Sequence, residues 1–270
     1  MTMKRHLVIG IHLSAHSKQG QKGPLIDEQI AFAQRAEAAK LDFVFKADYL
    51  VAHPELMAKT KGAVGLDPSF LMATVARETK NIGLVTTIST SFNPPYIIAR
   101  QLQSLNWISE GRAGWNLVTS IDGANNFSNE EMPSSEERYA KAAECKEVVQ
   151  QLLHSNPYET LETDGDLEKI KELVQPINYK GEFFHVNGPL NIPMHPAGDI
   201  PLFQAGASDT GRQFAAKVSN AIFAATPDIE VGIELRNDLL NGQLRQVVRQ
   251  MIFGYCLDCI SLLVIHMKKH

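Results

Sequence analysis

The stretch "GRAGWNLVTS", residues 111–120, opens like a turn, continues like a buried strand and closes in a cluster of hydrogen-bonding side chains. A strand sealed in a core carries apolar side chains along its length. Here Trp115, Asn116, Thr119 and Ser120 fall within six residues. In an α/β protein the carboxyl end of a strand is where a ligand is expected, so this polar end asks what it faces.

On either side of it, short apolar runs alternate with amphipathic helices, the pattern of a parallel sheet wrapped by crossover helices. "LVIGIHL" (7–13) reads as the first strand, and Asp27 as the cap of a helix striped by Ile30, Phe32, Ala33, Ala36 and Ala39. "LDFVFKADY" begins the second strand. Asp67 and Pro68 open the next helix, and "NIGLVTTIST" is the third strand. Pro94 and Pro95 open a helix that Gly111 ends, ahead of the fourth strand. Ser134 or Ser135 caps the long helix 134–155, with Glu137 placed for a capping box.

From about 156 to 200 the pattern breaks into Pro- and Gly-punctuated sequence, read as an inserted excursion with a small hairpin that helps to shape a substrate pocket. "IPLFQAGAS" restarts the strands, "DTGRQFAAKVS" is a helix and "NAIFAAT" a sixth strand. Six βα units of similar crossover length favour a TIM (β/α)8-type barrel over a doubly wound sheet. The barrel domain spans residues 1–240, the insertion included. Residues 241–270 form an atypical tail without Ala, Glu or Pro and with one apolar run, "CISLLVI". The expected barrel is therefore incomplete, and the chain a truncated one.

The chain has 270 residues, 44% of them hydrophobic, and a net charge of −4. That supports a substantial core and gives no basic footprint for nucleic acid or an anionic membrane. The apolar run of the tail is shorter than the ~20 residues that a membrane-spanning helix needs, and the N-terminus is a poor signal peptide. Cys145, Cys256 and Cys259 are too few for a disulfide framework, which fits a cytoplasmic protein.

In a barrel, function gathers where strands end and βα loops begin. His12 and Ser14, Asp48 and Tyr49, Thr87, Ser89 and Thr90, Asn116, Thr119 and Ser120, and Gln204, Gly206 and Ser208 all fall there. "QAGASDTGR" is the most mechanistic of these ends. Small residues run into a helix N-terminus, where free N–H groups can meet a phosphate, although Ser208 or Asp209 serves equally as an ordinary N-cap. Asp209 would repel a phosphate unless its carboxylate turns along the helix, and Arg212 can compensate.

"STSFNPPYIIARQLQSLNWISEGRAGWNLVTS", followed by "EERY" and then "QAGAS", resembles the flavin-dependent monooxygenases of the bacterial luciferase-like superfamily, in the group of nitrilotriacetate, dibenzothiophene-sulfone and long-chain alkane monooxygenases. The resemblance covers about residues 5 to 240. It implies a TIM barrel that uses FMNH2 from a separate NAD(P)H:flavin reductase, forms a peroxyflavin with O2 and inserts one oxygen atom into a small organic substrate. Homo-oligomers are common in such a family. It further implies that Asp48, Thr87 and Asn116 lie against the flavin, that Ser135 and Tyr139 reach the ribityl-phosphate side, and that Ser208 binds the phosphate. The group often has His where this chain has Ser135. Trp115 would pack behind the ring, and no catalytic residue is assigned. His12, His16 and His53 are more readily solvated or core histidines than acid–base groups.

Two other readings compete. The tail residues Cys256, Cys259, His266 and His270 match the types of a zinc site, but only six residues separate Cys259 from His266. Alternatively, the chain is a non-catalytic flavin-binding remnant.

Overall fold

A computed structural model describes residues 8–13, 26–52, 54–55, 65–128, 130–206, 208–224, 230–235, 237 and 263–266. Six parallel strands run in the order β1 (Gly10–His12), β2 (Phe43–Lys46), β3 (Gly83–Ser89), β4 (Ala113–Val118), β7 (Leu202–Gln204) and β8 (Ala221–Ala224). Between them lie α1 (Ile26–Ala38), α2 (Pro68–Glu78), α3 (Pro95–Ile108), α4 (Ser135–His154) and α6 (Asp209–Val218). A short helix, α5 (Leu167–Leu173), and the hairpin β5 (Tyr179–Lys180) and β6 (His185–Val186) belong to the excursion.

The sheet is curled. Phe45 of β2 and Phe223 of β8 are separated by three strands, yet their rings stack at 4.4 Å. Phe203 joins them, 5.2 Å from Phe43 and 5.3 Å from Phe223. These aromatics, with Val85, fill the inside of the curl, while Val44, Leu84 and Ala113 pack outward under α1 and α2. The period-2 alternation of a strand thus separates an inner wall from an outer, helix-covered one. Gly114 belongs to the inner wall, where a Cβ would stand 3.1 Å from Val85 and 3.2 Å from Phe203.

Local chemistry sets the helix ends. Asp67 accepts from the N–H groups of Ser69 and Phe70 with Pro68 behind it, and Ser134, not Ser135, caps α4 through the Glu137 N–H. Asp27 does not cap α1. The helix starts at Ile26, so Asp27 lies inside its first turn, where a carboxylate still complements the helix dipole.

The excursion packs on the outer side of α3 and α4. Gln103 Nε2 and Trp107 Nε1 both donate to the Pro193 carbonyl at 2.8 Å, and Leu190 is buried in the core beneath. The carboxylate of Glu144 accepts from the N–H groups of Glu182, Phe183 and Phe184 and so holds the hairpin turn. Its approach to the strand-end loops runs through Lys141, whose Nζ lies over the Phe184 ring and donates to the Ser91 carbonyl. At the opposite end of the strands, Arg112 joins β4 to the end of α2 through the carbonyls of Ala76, Thr79 and Ile82.

The tail contributes one described strand, β9 (Leu263–His266), paired antiparallel to β8. Of the expected tail zinc ligands, Cys256, Cys259 and His270 lie outside the described residues, as do Ser14, His16 and His53. No described helix is long and apolar enough to cross a membrane.

Candidate active site

β4 carries the answer to its own polarity. Trp115 points outward into the core beneath α3 and α4, and its Nε1 donates to the Ile88 carbonyl. Asn116, next along the strand, points the other way, into the curl. It sits opposite Thr87 in the β3–β4 register, and both side chains are 3% exposed. The Thr87 hydroxyl donates to the Lys46 carbonyl at 2.6 Å, and Asn116 Nδ2 donates to Thr87 Oγ1 at 2.9 Å. Asn116 Oδ1 is buried and has no hydrogen-bond partner. The two residues lie two positions inside the strand ends, not at the rim where the sequence put them, because β3 extends to Ser89 and β4 to Val118.

At the rim the hydroxyls form a connected set. Ser89 Oγ accepts from the Ser120 hydroxyl at 2.8 Å and from the Ser91 N–H at 3.2 Å. Thr90 and Ser91 donate to the carbonyls of Val118 and Thr119, so these two are local cross-strand ties. Ser120 holds this geometry at a φ of 25°.

A second constellation forms between β7 and α6. Ser208 is the N-cap of α6, its Oγ accepting from the Gly211 N–H at 3.1 Å. Gln204 folds back so that its Oε1 accepts from the Gly206 N–H at 2.7 Å, and its Nε2 donates to the Tyr139 hydroxyl at 3.4 Å. Tyr139 OH therefore stands over the turn, 2.8 Å and 2.6 Å from where Cβ atoms on Gly206 and Gly211 would be. The N–H groups of Asp209 and Thr210 have no acceptor within the helix, as in any first turn. The Asp209 carboxylate pairs with Arg212 along the helix, which turns its charge away from the turn. A helix N-terminus, two glycines and a tyrosine hydroxyl make a cradle that fits a phosphate group.

The remaining predicted residues stand apart. Asp48 follows β2, and burial, reinforced by the charge of Asp67, raises its pKa to about 6 against the Tyr49 N–H and Lys46. Lys46 is itself lowered by burial, and its Nζ donates to the Leu13 carbonyl at 3.1 Å. His12 Nε2 accepts from the Ala47 N–H at 3.2 Å, so His12 buttresses the end of β2. Ser135 is the first residue of α4, partly exposed, and Tyr49 is 78% exposed. Sequence reasoning missed Lys46 as the acceptor that orients Thr87, and it missed the aromatic floor, although the alternation of "FVFK" signals the latter.

The profile of luciferase-like monooxygenases matches residues 3–239. The chain belongs to that family. Nitrilotriacetate monooxygenase component A of Aminobacter aminovorans is 34% identical over 254 residues, 86% of this chain and 55% of its own length. EDTA monooxygenase from Chelativorans sp. BNC1 superposes with a TM-score of 0.81 at 30% identity, covering 91% of this chain and 60% of that one. Riboflavin lyase, solved with modified FMN and riboflavin, superposes with a TM-score of 0.78 at 28% identity, covering 89% of this chain and 59% of that one. The chain spans about half the length of the curated relatives it matches. The fold is therefore the luciferase-like TIM-barrel type, with six of its parallel strands and the five crossover helices between them described.

Proposed function

We propose that the chain binds reduced FMN at the carboxyl ends of its strands and serves an O2-dependent monooxygenase acting on a small organic substrate. When bound, FMNH2 supplies the electrons that activate O2 for transfer of one oxygen atom. The observation that carries the reading is the glycine cradle under Tyr139 at the N-terminus of α6, which matches a mononucleotide phosphate. No Gly-x-Gly-x-x-Gly loop accompanies it for a dinucleotide.

In this reading Ser208 and the first-turn N–H groups hold the phosphate, with Tyr139 and Ser135 on the same side. Thr87, Asn116 and Asp48 border the ring. The floor of Phe45, Phe203 and Phe223 keeps water from beneath it, which is the main service a protein gives to oxygen-activating chemistry. A separate NAD(P)H:flavin reductase supplies FMNH2, as the family resemblance implies, and the protein works in the cytoplasm. Exposed Phe70, Ile97 and Ile108 on α2 and α3 support a homo-oligomer.

A second reading, flavin binding without turnover, is favoured by β9. It lies antiparallel on the β8 edge, where the next strand of a (β/α)8 barrel would be parallel. Titration of the purified protein with FMN, FMNH2 and FAD, followed by substrate-free and substrate-loaded oxygen uptake, tests both. Tight FMNH2 binding with substrate-dependent oxygenation supports the first reading. Binding without oxygenation supports the second, and no flavin binding removes both.

A further inference from the structure

Gln204 is a buried polar residue at a position that the strand pattern gives to an apolar one. It follows Phe203 on β7, so the alternation turns it away from the aromatic inside of the curl and toward the outer wall filled by Leu202 and its own register partner Leu117. A buried polar side chain is explained by the bonds it makes. Both ends of this carboxamide are engaged: Oε1 accepts from the Gly206 N–H at 2.7 Å, and Nε2 reaches the Tyr139 hydroxyl oxygen at 3.4 Å.

The first of these bonds decides the sense of the second. A backbone N–H only donates, so the end of the carboxamide that meets Gly206 is the oxygen and the end that meets Tyr139 is the NH2 group. An amide nitrogen donates and does not accept. The Tyr139 oxygen is therefore the acceptor of that pair, and its own proton is not used there. Tyr139 makes no other hydrogen bond among the described residues. Its ring packs on Phe214 of α6 with the centroids 5.2 Å apart, which fixes the hydroxyl over Gly206 and Gly211.

A phosphate oxygen is a charged acceptor, and what it can use from a tyrosine is the proton. A hydroxyl that had already given its proton to a neighbouring side chain would turn only lone pairs toward the anion. With the Gly206 N–H taken by Oε1, the cradle depends all the more on this proton. We propose that Gln204 is the positioning residue of the phosphate cradle: by donating to the Tyr139 oxygen while it holds the Gly206 N–H, it leaves the Tyr139 proton for the phosphate. The inference rests on the FMN reading above and adds to it the residue that gives Tyr139 its donor role. Gln204 acts through Tyr139 and faces the helices, not the ring.

The test compares FMN with riboflavin, which has the same ring and ribityl chain and no phosphate. Dissociation constants for both are measured by flavin fluorescence, and their ratio isolates the phosphate. The wild-type protein is expected to prefer FMN by about a hundredfold, and Gln204→Met, which keeps the length and removes both polar ends, to lower that preference about tenfold, the scale of one charge-assisted hydrogen bond. In a Tyr139→Phe protein the same change should lower it less than about twofold, because no hydroxyl is left to orient. A residue that only held the turn would lower the preference equally in both backgrounds. Gln204→Glu keeps an acceptor for the Gly206 N–H and has no donor, so it replaces Gln204→Met in the comparison if circular dichroism shows that the latter does not fold; its added charge acts alike with and without the Tyr139 hydroxyl and cancels between them. A preference for FMN that survives the Gln204 variants, or falls equally in both backgrounds, overturns this inference and leaves FMN binding standing. Binding of neither flavin by the wild type, or equal binding of the two, overturns the phosphate cradle and this inference together.

Discussion

Gly206 and Gly211 meet across the β7–α6 turn so closely that a Cβ on Gly206 would lie 2.9 Å from the Gly211 Cα. Backbone blocks that position, so the turn must shift to accept any side chain. Gly206→Ala should destabilise the protein by about 1–3 kcal/mol, the usual range for overpacking. It should also weaken FMN binding, because the cradle under Tyr139 opens. Urea unfolding and flavin titration of one variant check both parts; an Ala variant with wild-type stability and affinity would mean that the turn yields freely.

Ser208 offers a cleaner separation of fold from ligand. Aspartate caps a helix as well as serine does, so Ser208→Asp keeps the Gly211 N–H satisfied while placing a negative charge at the cradle. FMN affinity should fall at least about tenfold with little change in melting temperature. Ser208→Ala should do the reverse, losing about 1 kcal/mol of stability with a smaller effect on binding. Unchanged FMN affinity in the Asp variant would remove Ser208 from the phosphate site.

The titration of Asp48 gives a pH dependence with a definite sign. Its pKa of about 6 in the folded chain lies above the ordinary carboxyl value, because burial and Asp67 disfavour the charged form. A raised carboxyl pKa favours folding while the group is protonated. That contribution is complete below the unfolded pKa, about 4, and is lost as pH rises through about 6. Asp48→Asn should therefore match the wild type in unfolding midpoint near pH 4 and exceed it increasingly up to pH 7. Parallel curves for the two proteins across that window would show that ionisation of Asp48 opposes folding no more than it does in the unfolded chain.

The order of strands and crossovers was legible because each element announces itself locally. Period-2 and period-3.6 patterns depend on neighbours in sequence, as do the caps at Asp67, Ser134 and Ser208. The polar residues of "GWNLVTS" pointed to an enclosed site for the same reason. What stayed hidden is long-range. The hydrogen bond from Thr87 to Lys46 spans 41 positions, and Glu144 holds a hairpin about 40 residues away. Such contacts leave no periodic trace, and neither does the curl that brings Phe45 onto Phe223. Asp27 has the residue type of a cap but lies inside the helix, because Ile26, an unremarkable residue at that position, already begins it.

Arg112 tests whether the two ends of the sheet divide their labour. All of its nitrogens are engaged: Nε donates to Ser109, Nη1 to Thr79 Oγ1 and Ile82, and Nη2 to Ala76 and Thr79. Burial pulls its pKa down while Glu37 and Glu110 support the charge. Glu37 belongs to the same junction. Burial works to raise its carboxyl, but the N–H groups of Asn81, Ile82 and Lys80 hold it below the usual carboxylate value. Arg112→Ala leaves the carbonyls of Ala76 and Ile82 without their donor and should cost about 3 kcal/mol. For a chain of this size that lowers the melting temperature by roughly 6–12 °C. This junction precedes β3 and β4, at the end of the sheet remote from Ser208 and Asn116, where barrel proteins keep stability rather than chemistry. FMN affinity measured well below the melting transition should therefore stay within about twofold of wild type, on the scale expected of uncoupled sites. A large loss of affinity in a folded Arg112→Ala protein would show that the junction sets the geometry of the flavin site.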